Sequence, residues 1–411
     1  MGKLKVHSLI DKVYKVLNLF IAWEKVKANR GSGGVDRVTV EEFDRRRGEN
    51  LEEIHRLLRE DRYEPTPVRR VWIPKGDGKK RPLGIPTIRD RVVQQALLNK
   101  MEKIFEAKFL ESSYGFRPKR SCHGAIKKVE GYLKEGSQWV VEVDIEKFFD
   151  TVDHELMLDK VNEEISDGRV LRLIRKFLKA GVMEEMKVER PTEGTPQGGV
   201  ISPLLANIYL HTFDEQMSAG GYKVVRYADD IVVLCRSEEE AKRVMAKIKE
   251  ILEGELRLKL NPEKTRIVHL SKGFEFLGYV FRWGYKYPRN KSREAFEDKI
   301  RHMTRRSQPK SVSQIIKEIN PVIRGWGNYF MYGSCLMLYR KYDYWIRRRL
   351  RAFKAKKWVS IRTWREYPES RWKELGLVLM VELLQKKRLD LLPVKGQHFR
   401  KAVYGKSVCT V

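Results

Sequence analysis

Three aspartates stand where apolar segments end or turn. Asp144 lies near the end of the β-prone run Trp139–Ile145, while Asp229 and Asp230 lie at a tight turn within residues 222–235, whose two arms are apolar. Carboxylates at strand ends and hairpin turns can meet at one edge of a sheet, where they repel one another unless cations neutralise them. Mg²⁺ binds hard oxygen ligands, and two such ions about 4 Å apart assist phosphoryl transfer. The pattern therefore favours a metal-dependent phosphoryl-transfer site, with ordinary turn chemistry for Asp-Asp as the alternative.

The elements that would position these aspartates alternate between helical and β-prone segments. Helical periodicity covers residues 8–30, 39–62, 88–110, 154–180, 204–213 and 237–252, and β-prone patterns cover 68–73, 139–145, 222–235 and 267–282. From about residue 291 to 358 the chain is helical and strongly basic. These patterns predict one α+β domain to about residue 290, followed by a small basic helical domain.

The chain has 411 residues and a formal net charge of +29. A surplus of this size predicts a polyanionic partner, nucleic acid ahead of an anionic membrane surface. No apolar run approaches the ~18–20 residues of a membrane span, and the N-terminus is too charged for a signal peptide. The four cysteines lie far apart, so neither a zinc ribbon nor a disulfide framework is expected. We expect a cytoplasmic protein with no membrane partner.

The acidic turn is one of six ordered blocks, which are Arg81–Thr87, Tyr114–Pro118, Asp144–Asp150, Glu193–Asn207, Tyr227–Asp230 and Phe276–Tyr279. In order and spacing these blocks resemble the reverse transcriptases encoded by group II introns. The YxDD pattern alone is a weak match, but six blocks in family order are specific. The segment Gln197–Pro203 favours the group II intron lineage over related retroelements.

The resemblance implies a right-hand polymerase of the α+β class. Its fingers and palm would contain an RRM-like antiparallel sheet, and a helical thumb would follow. Residues 1–110 would form an N-terminal extension and fingers, and 111–290 the palm with interspersed fingers elements, with the reverse transcriptase domain itself at 60–285. Residues 291–365 would form the thumb, or maturase domain X, and 366–411 a short tail with a truncated DNA-binding region. No His/Cys-rich nuclease module is expected, as in endonuclease-lacking members.

The catalytic set follows from the same resemblance. Asp144 and Asp229 would bind the metal ions, with the main-chain carbonyl of Ile145 nearby, and Asp230 would complete the acidic cluster. The implied cofactor is a pair of Mg²⁺ ions, with Mn²⁺ as a substitute. The eight histidines show no ligand spacing and receive no metal.

Residues outside the acidic cluster would bind the nucleotide. Lys75 and Arg81 flank a turn of the fingers and suit a triphosphate, because Arg offers a fork of donors and Lys a point charge. Phe149 corresponds to a bulky gate that excludes the ribose 2′-hydroxyl, and its neighbour Phe148 is assigned to the core.

Two further residues lie in matching blocks. Gln197 would contact the nucleotide or the templating base pair from a loop whose glycines permit close approach. Arg117 would touch template or triphosphate, with a buried salt bridge as the alternative.

The segment 340–357 holds nine Lys or Arg residues with aromatic residues interleaved. Cations beside aromatic rings indicate nucleic-acid binding, although the same rings can form the core face of a helix. The predicted nucleic-acid contacts are Arg347, Arg348, Arg349, Arg351 and Lys354. The position after the palm resembles the thumb or maturase domain X, whose first segment matches Ile323–Tyr329.

The sequence thus predicts an RNA-directed DNA polymerase of a group II intron that also assists RNA splicing and intron mobility. Its partners would be the intron RNA, a duplex of RNA template and DNA primer, and the target DNA. One alternative is a domesticated relative that acts in repair or CRISPR adaptation. Another is a maturase that only binds RNA, which the intact aspartate set argues against.

Overall fold

The computed structural model describes residues 5–74, 80–184, 187–189, 198–356, 365 and 367–390. It contains two compact units. The N-terminal unit comprises residues 1–277 with 281–284, and the C-terminal unit comprises 278–280 with 285–411. The composition shift near residue 291 lies close to this division. The described residues include no helix that is both long and apolar enough to cross a membrane.

The N-terminal unit mixes helices and short strands, as the alternating patterns predict. In chain order its elements are α1 (Ile10–Tyr14), α2 (Val16–Asn29), α3 (Val40–Arg45), α4 (Arg47–Arg59), β1 (Val68–Pro74), β2 (Lys80–Ile85), α5 (Ile88–Glu106), α6 (Cys122–Lys134), β3 (Trp139–Val143), α7 (Phe148–Thr151), α8 (His154–Asn162), α9 (Gly168–Lys179), β4 (Val182–Glu184), β5 (Lys187–Glu189), α10 (Ser202–Ala219), β6 (Lys223–Tyr227), β7 (Asp230–Cys235), α11 (Glu238–Lys249), β8 (Arg266–His269) and β9 (Phe274–Phe276). A π-helical turn, Glu250–Glu255, extends α11.

The central sheet has four antiparallel strands in the order β6-β7-β3-β8. Its strands are rich in valine, whose branched side chain suits a pleated surface, and most of these valines are fully buried. Helices α6, α10 and α11 pack against the sheet. Strands β6 and β7 form a hairpin, and β3 lies beside β7. The end of β6, the start of β7 and the end of β3 therefore lie next to one another at one edge of the sheet.

A second sheet has the order β2-β1-β4-β5, in which β1 pairs antiparallel with β2 and parallel with β4. Helix α5 follows β2 directly and begins where the Thr87 hydroxyl accepts a hydrogen bond of 3.1 Å from the backbone N–H of Asp90. Two segments expected as single helices are each divided. Lys15 adopts an extended conformation between α1 and α2, and Arg46 separates α3 from α4.

The chain passes between the units near β10 (Tyr279–Arg282). The C-terminal unit continues with β11 (Tyr285–Pro288), α12 (Asn290–Met303), α13 (Val312–Phe330), α14 (Leu336–Ala355), α15 (Glu369–Glu374) and α16 (Met380–Asp390). Its core is aromatic: Trp326 lies 4.9 Å from Phe296 and 5.4 Å from Tyr342, measured between ring centroids. The predicted basic helical domain is therefore built on aromatic packing between its helices.

The helical unit extends beyond residue 365, where the sequence predicts that the tail begins. Trp372 on α15 is fully buried, and Met380 at the start of α16 is also buried. The Asn320 side chain holds the intervening loop, since its amide donates to the Gly376 carbonyl and its carbonyl accepts from the Val378 N–H. Residues 367–390 thus pack as part of the C-terminal unit, because the buried tryptophan needs the core that α13 and α14 provide.

Asp343 on α14 caps the N-terminus of α16. Its two carboxylate oxygens accept hydrogen bonds from the backbone N–H groups of Met380, at 2.8 Å, and Val381, at 3.1 Å. Burial raises the pKa of Asp343 to about 6, more than these two hydrogen bonds lower it. The ionised cap at neutral pH therefore opposes folding of this unit relative to the protonated cap.

We predict that the difference in stability between the wild type and Asp343→Asn depends on pH. The folded pKa of Asp343 lies above the unfolded one, so its stabilising contribution is complete below about pH 4 and is lost as the pH rises through about 6. Between about pH 4 and pH 6, the free energy of unfolding of the wild type should fall by up to about 3 kcal/mol relative to that of Asp343→Asn. Pulsed hydrogen exchange across α16 in urea, on the full chain, measures this difference. Parallel pH profiles for the two proteins would contradict it.

Candidate active site at the edge of the central sheet

The predicted acidic turn is a two-residue hairpin loop. Tyr227 and Asp230 face each other at the ends of β6 and β7, so that Ala228 and Asp229 form the loop. Ala228 has a φ of +57°, in the left-handed region that L-residues seldom adopt. The turn therefore needs support from its surroundings to keep this conformation.

The strand register brings Asp144 to the same edge. Val143 of β3 lies opposite Ile231 of β7, and one residue further along the two chains are Asp144 and Asp230. Directly opposed residues of antiparallel strands have Cβ atoms about 5 Å apart, and Asp229 is in the adjoining loop. Asp144 and Asp229 are half-buried, and Asp230 is exposed. The register thus gathers the three predicted carboxylates at one solvent-accessible edge.

The backbone of Ile145 is directed toward this edge. Ile145 forms an antiparallel bridge with Leu260, and the hydrogen bonds on either side are Glu146 N–H to the Lys259 carbonyl and Asn261 N–H to the Asp144 carbonyl. In this pattern the central residue points its own N–H and C=O away from its partner. The N–H and C=O groups of Ile145 are therefore directed away from Leu260, and the metal contact of this carbonyl stays a prediction.

A cation already contacts one of the carboxylates. The Lys264 Nζ lies 3.1 Å from the Asp144 Oδ2, and the Lys264 side chain is 65% exposed. The segment that carries it is fixed to Asp144, whose backbone N–H donates to the Thr265 hydroxyl at 3.3 Å. Sequence reasoning missed Lys264, which lies 120 residues from Asp144 and in none of the six blocks.

The donor set fits Mg²⁺ in part. Among the described residues, no three His, Cys, Asp or Glu side chains converge on a point as a complete metal cage. Mg²⁺ does not require one, because it usually binds one or two carboxylates and takes its other ligands from water and substrate phosphates. Asp144 and Asp229, with the Ile145 carbonyl, supply only hard oxygens, which suits that ion.

Phe148 and Phe149 differ in burial as predicted. Phe148 is buried, and its ring packs edge-on against Phe149, with ring centroids 5.2 Å apart. Phe149 is only partly buried, at the start of the short helix α7 that follows Asp144. Its position is compatible with a gate beside the carboxylates, and that role remains a prediction.

The predicted nucleotide contact of Arg117 is wrong for this structure. Its side chain is buried, and its guanidinium group forms a bidentate salt bridge with Glu106, with N–O distances of 2.9 and 2.8 Å. The remaining donors bond to main-chain carbonyls of Phe109, Leu110 and Ser113. Because every N–H of Arg117 already has a protein partner, this residue has a structural role. Its neighbour Phe116 is exposed instead, with its ring 6.3 Å from that of Tyr227.

Lys75 and Gln197 lie outside the described residues, and only the backbone of Arg81 is described, paired with Ile73 in the β1–β2 hairpin.

The loop after Gln197 is held by a residue that sequence reasoning missed. The Gln94 Oε1 accepts a hydrogen bond of 2.7 Å from the Val200 N–H. A Cβ at Gly198 would lie 2.3 Å from the Gly84 carbonyl oxygen, so only glycine fits between this loop and β2.

The predicted nucleic-acid residues of α14 divide by burial. Arg351 is buried and donates twice to the Tyr367 carbonyl, so its predicted contact with nucleic acid is wrong here. Arg347 pairs with Glu369 at 3.0 Å, and the Arg349 Nε donates to the Thr304 hydroxyl at 2.6 Å. These guanidinium groups hold the helical unit together.

Arg348 and Lys354 remain exposed, as a nucleic-acid contact requires. Arg348 shares one face of α14 with exposed Arg340, Lys341 and Tyr344, which precede it by eight, seven and four residues along the helix. These four residues, Arg340, Lys341, Tyr344 and Arg348, define the exposed face of α14. This face is a better candidate for nucleic-acid binding than the consecutive arginines 347–349.

Two family models match most of the chain. Residues 73–281 match the model described as reverse transcriptase (RNA-dependent DNA polymerase), and residues 293–372 match the group II intron maturase-specific domain. The chain belongs to the group II intron reverse transcriptase family. Its enzyme class is therefore reverse transcriptase, its fold is that of a right-hand polymerase, and the central sheet with its acidic edge lies inside the matched reverse transcriptase region. Membership also implies use of a divalent metal ion.

Curated relatives agree with this assignment. Protein YkfC of Escherichia coli is 39% identical in an alignment 284 residues long, which covers 60% of this chain and 74% of that protein. The group II intron-encoded protein LtrA of Lactococcus lactis is 32% identical in an alignment 330 residues long, which covers 64% of this chain and 54% of LtrA. The chain thus spans about half of LtrA. A chain of a solved Cas6-RT-Cas1–Cas2 complex overlaps with 23% identity and a TM-score of 0.40, over 61% of this chain and 43% of that chain, which is too low to bear on function.

We predict that Lys264→Gln raises the affinity for Mn²⁺ up to about 5-fold. The Lys264 ammonium competes with a metal ion for the Asp144 carboxylate, and an exposed pair of this kind contributes at most about 1 kcal/mol. Electron paramagnetic resonance of free Mn²⁺ gives the dissociation constant without reference to activity. Lys272→Gln, which removes an exposed cation from the same unit, is the control. Equal affinities of Lys264→Gln and the wild type would show that Lys264 does not occupy the metal position.

Proposed function

We propose that this chain is the RNA-directed DNA polymerase of a group II intron, which copies RNA into DNA and binds intron RNA to assist splicing and mobility. The observation that carries the polymerase proposal is the strand register that gathers Asp144, Asp229 and Asp230 at one edge of the palm sheet. The maturase-specific domain supports the RNA-binding part. A cytoplasmic location belongs to the same proposal and agrees with the free thiols of Cys122, Cys235 and Cys335.

The reaction joins a primer to a nucleotide. The primer 3′-hydroxyl attacks the α-phosphorus of a deoxynucleoside triphosphate, a new phosphodiester bond forms, and the bond to pyrophosphate breaks. Asp144 and Asp229 would hold two Mg²⁺ ions, which when bound lower the pKa of the attacking hydroxyl and neutralise charge on the leaving oxygen. The carboxylates contribute by their fixed positions, which the palm strands set before substrate arrives.

Other residues near this edge would select the nucleotide and support the loop beside it. Phe149 lies just beyond Asp144, where a bulky ring excludes a 2′-hydroxyl by occupying its space, so that deoxynucleotides are preferred. Gln94 fixes the loop Gly198–Val200, and Gly198 lets this loop pack directly against the Gly84 carbonyl of β2. The duplex of RNA template and DNA primer, the intron RNA and the target DNA are the proposed partners, consistent with the net charge of +29.

Asp229→Asn tests the polymerase proposal. Loss of one metal-binding carboxylate should lower primer extension on an RNA template by about 10³-fold or more, which corresponds to roughly 4 kcal/mol of barrier. RNA affinity, measured by fluorescence anisotropy, should stay within about 2-fold of the wild-type value. The substitution removes one negative charge, which is small beside the surplus of positive charge that attracts RNA. Glu263→Gln, which removes an exposed carboxylate next to Lys264, is the control and should retain activity. Normal extension by Asp229→Asn would remove Asp229 from the catalytic set.

Arg340→Gln/Arg348→Gln tests RNA binding by the exposed face of α14. Each phosphate contact contributes a slope of about 0.7 to 0.9 to the dependence of log affinity on log salt, so the double variant should flatten this dependence by about 1.5. Lys317→Gln/Arg324→Gln removes the same charge from exposed positions of α13 and should leave the slope unchanged. Equal slopes for both double variants would indicate that general charge, not the α14 face, attracts the RNA.

A further inference from the structure

A fully buried arginine lies directly behind the acidic turn. Arg226 on β6 has no exposed surface, although it carries a permanent positive charge. A charge in a protein interior costs several kcal/mol unless it is paired and hydrogen-bonded, and an apolar replacement of the pair is often as stable. Stability alone therefore does not account for an ionic group at this position of the sheet.

The guanidinium of Arg226 is completely saturated by protein acceptors. Its Nε donates to the Asp214 Oδ1 at 2.9 Å, and one Nη2 hydrogen completes a bidentate fork with the same carboxylate. The other Nη2 hydrogen bonds to the Ser113 hydroxyl at 2.8 Å. The Nη1 donates to the Asn207 Oδ1 at 2.9 Å and to the main-chain carbonyl of Ala228 at 3.0 Å. The arginine thus joins helix α10, which carries Asn207 and Asp214, to the acidic turn.

The opposite side of the same turn is also held. The Asn207 amide donates to the Gly115 carbonyl at 2.8 Å. A Cβ at Gly115 would lie 2.3 Å from the Ala228 nitrogen, so the backbones of Gly115 and Ala228 are in direct contact. The segment before Gly115 pairs with β6, since the Arg226 N–H donates to the Ser112 carbonyl at 2.8 Å. Ala228 is therefore enclosed between a hydrogen-bond donor on its carbonyl and a packed backbone on its nitrogen.

We propose that Arg226, oriented by Asp214 and Asn207, is a positioning residue that holds Ala228 in its left-handed conformation and thereby aims Asp229 at the metal position. A left-handed conformation costs a non-glycine residue roughly 1–2 kcal/mol, and it persists only where the surroundings enforce it. If the donor on the Ala228 carbonyl is removed, the two-residue loop can relax, and Asp229 moves with it. Misplacement of a catalytic group by about 1 Å can lower a rate about 10²-fold. This proposal rests on the proposed function, since it assigns Asp229 to metal binding.

Arg226→Met/Asp214→Leu separates positioning from stability. The double variant removes both charges together, so no unpaired charge stays in the core, and the melting temperature should remain within a few degrees of the wild type. We expect kcat for primer extension to fall about 10–100-fold, with KM for the nucleotide and affinity for the RNA–DNA duplex unchanged. The affinity for Mn²⁺, measured by electron paramagnetic resonance, should fall in parallel.

Lys223→Met/Glu135→Leu is the matched control. It removes a second ion pair, between Lys223 at the start of β6 and Glu135 at the end of α6, with a distance of 2.7 Å between Nζ and Oε2. This control should keep the kcat and Mn²⁺ affinity of the wild type. A folded Arg226→Met/Asp214→Leu variant with wild-type kcat and Mn²⁺ affinity would overturn the proposal.

Arg226→Lys decides the question if the double variant does not fold. A lysine keeps the charge opposite Asp214 but cannot form the fork and reach the Ala228 carbonyl together. A folded Arg226→Lys with at least about 10-fold lower kcat and weaker Mn²⁺ binding supports positioning, and unchanged values contradict it. If the wild type itself fails to extend a primer, the proposed function fails, and the Mn²⁺ affinities of the same variants still report whether Arg226 positions Asp229.

Discussion

The antiparallel register of β6, β7 and β3 is the constraint on which the active site depends. It places the Asp144 and Asp230 positions opposite each other and leaves Asp229 in the adjoining loop. Three like charges at one sheet edge require a counter-charge, and the Lys264 ammonium provides one by contacting Asp144. A shift of one residue in this register would turn each side chain to the other face of the sheet and disperse the cluster. The buried valines of these strands therefore fix the chemistry as well as the fold.

The surplus of positive charge has two kinds of use in the C-terminal unit. Part of it is internal, because Arg347, Arg349 and Arg351 bond to side chains and carbonyls of neighbouring segments. The rest is on the surface, where the exposed face of α14 combines cations with an aromatic ring. A count of Lys and Arg along the sequence cannot separate these uses, since both give the same composition. Burial separates them, and it directs RNA-binding experiments to Arg340 and Arg348 in place of Arg351.

Local patterns predicted much of the fold and the central part of the site. The hairpin around Asp229 and the strand that ends at Asp144 follow from apolar alternation and turn chemistry, which depend on neighbouring residues. For Arg117 the sequence left open a nucleotide contact or a buried salt bridge, and only the folded chain decides for the salt bridge, because Glu106 and three main-chain carbonyls meet the side chain there. Lys264 and Arg226 depend on contacts between distant segments in the same sense. The burial of Trp372 depends on distant contacts in the same way, so the packing of residues 367–390 with the C-terminal unit could not be predicted from local patterns.

The sheet edge formed by Asp144 and Asp229 is proposed as the metal site of a reverse transcriptase. Anomalous diffraction from Mn²⁺ in crystals of the chain with an RNA template, a DNA primer and a non-hydrolysable deoxynucleotide locates the metal ions. We expect anomalous peaks bonded to Asp144 and Asp229, with the Lys264 ammonium displaced from the Asp144 carboxylate. Peaks elsewhere, or an edge without metal on which Lys264 still pairs with Asp144, would contradict it.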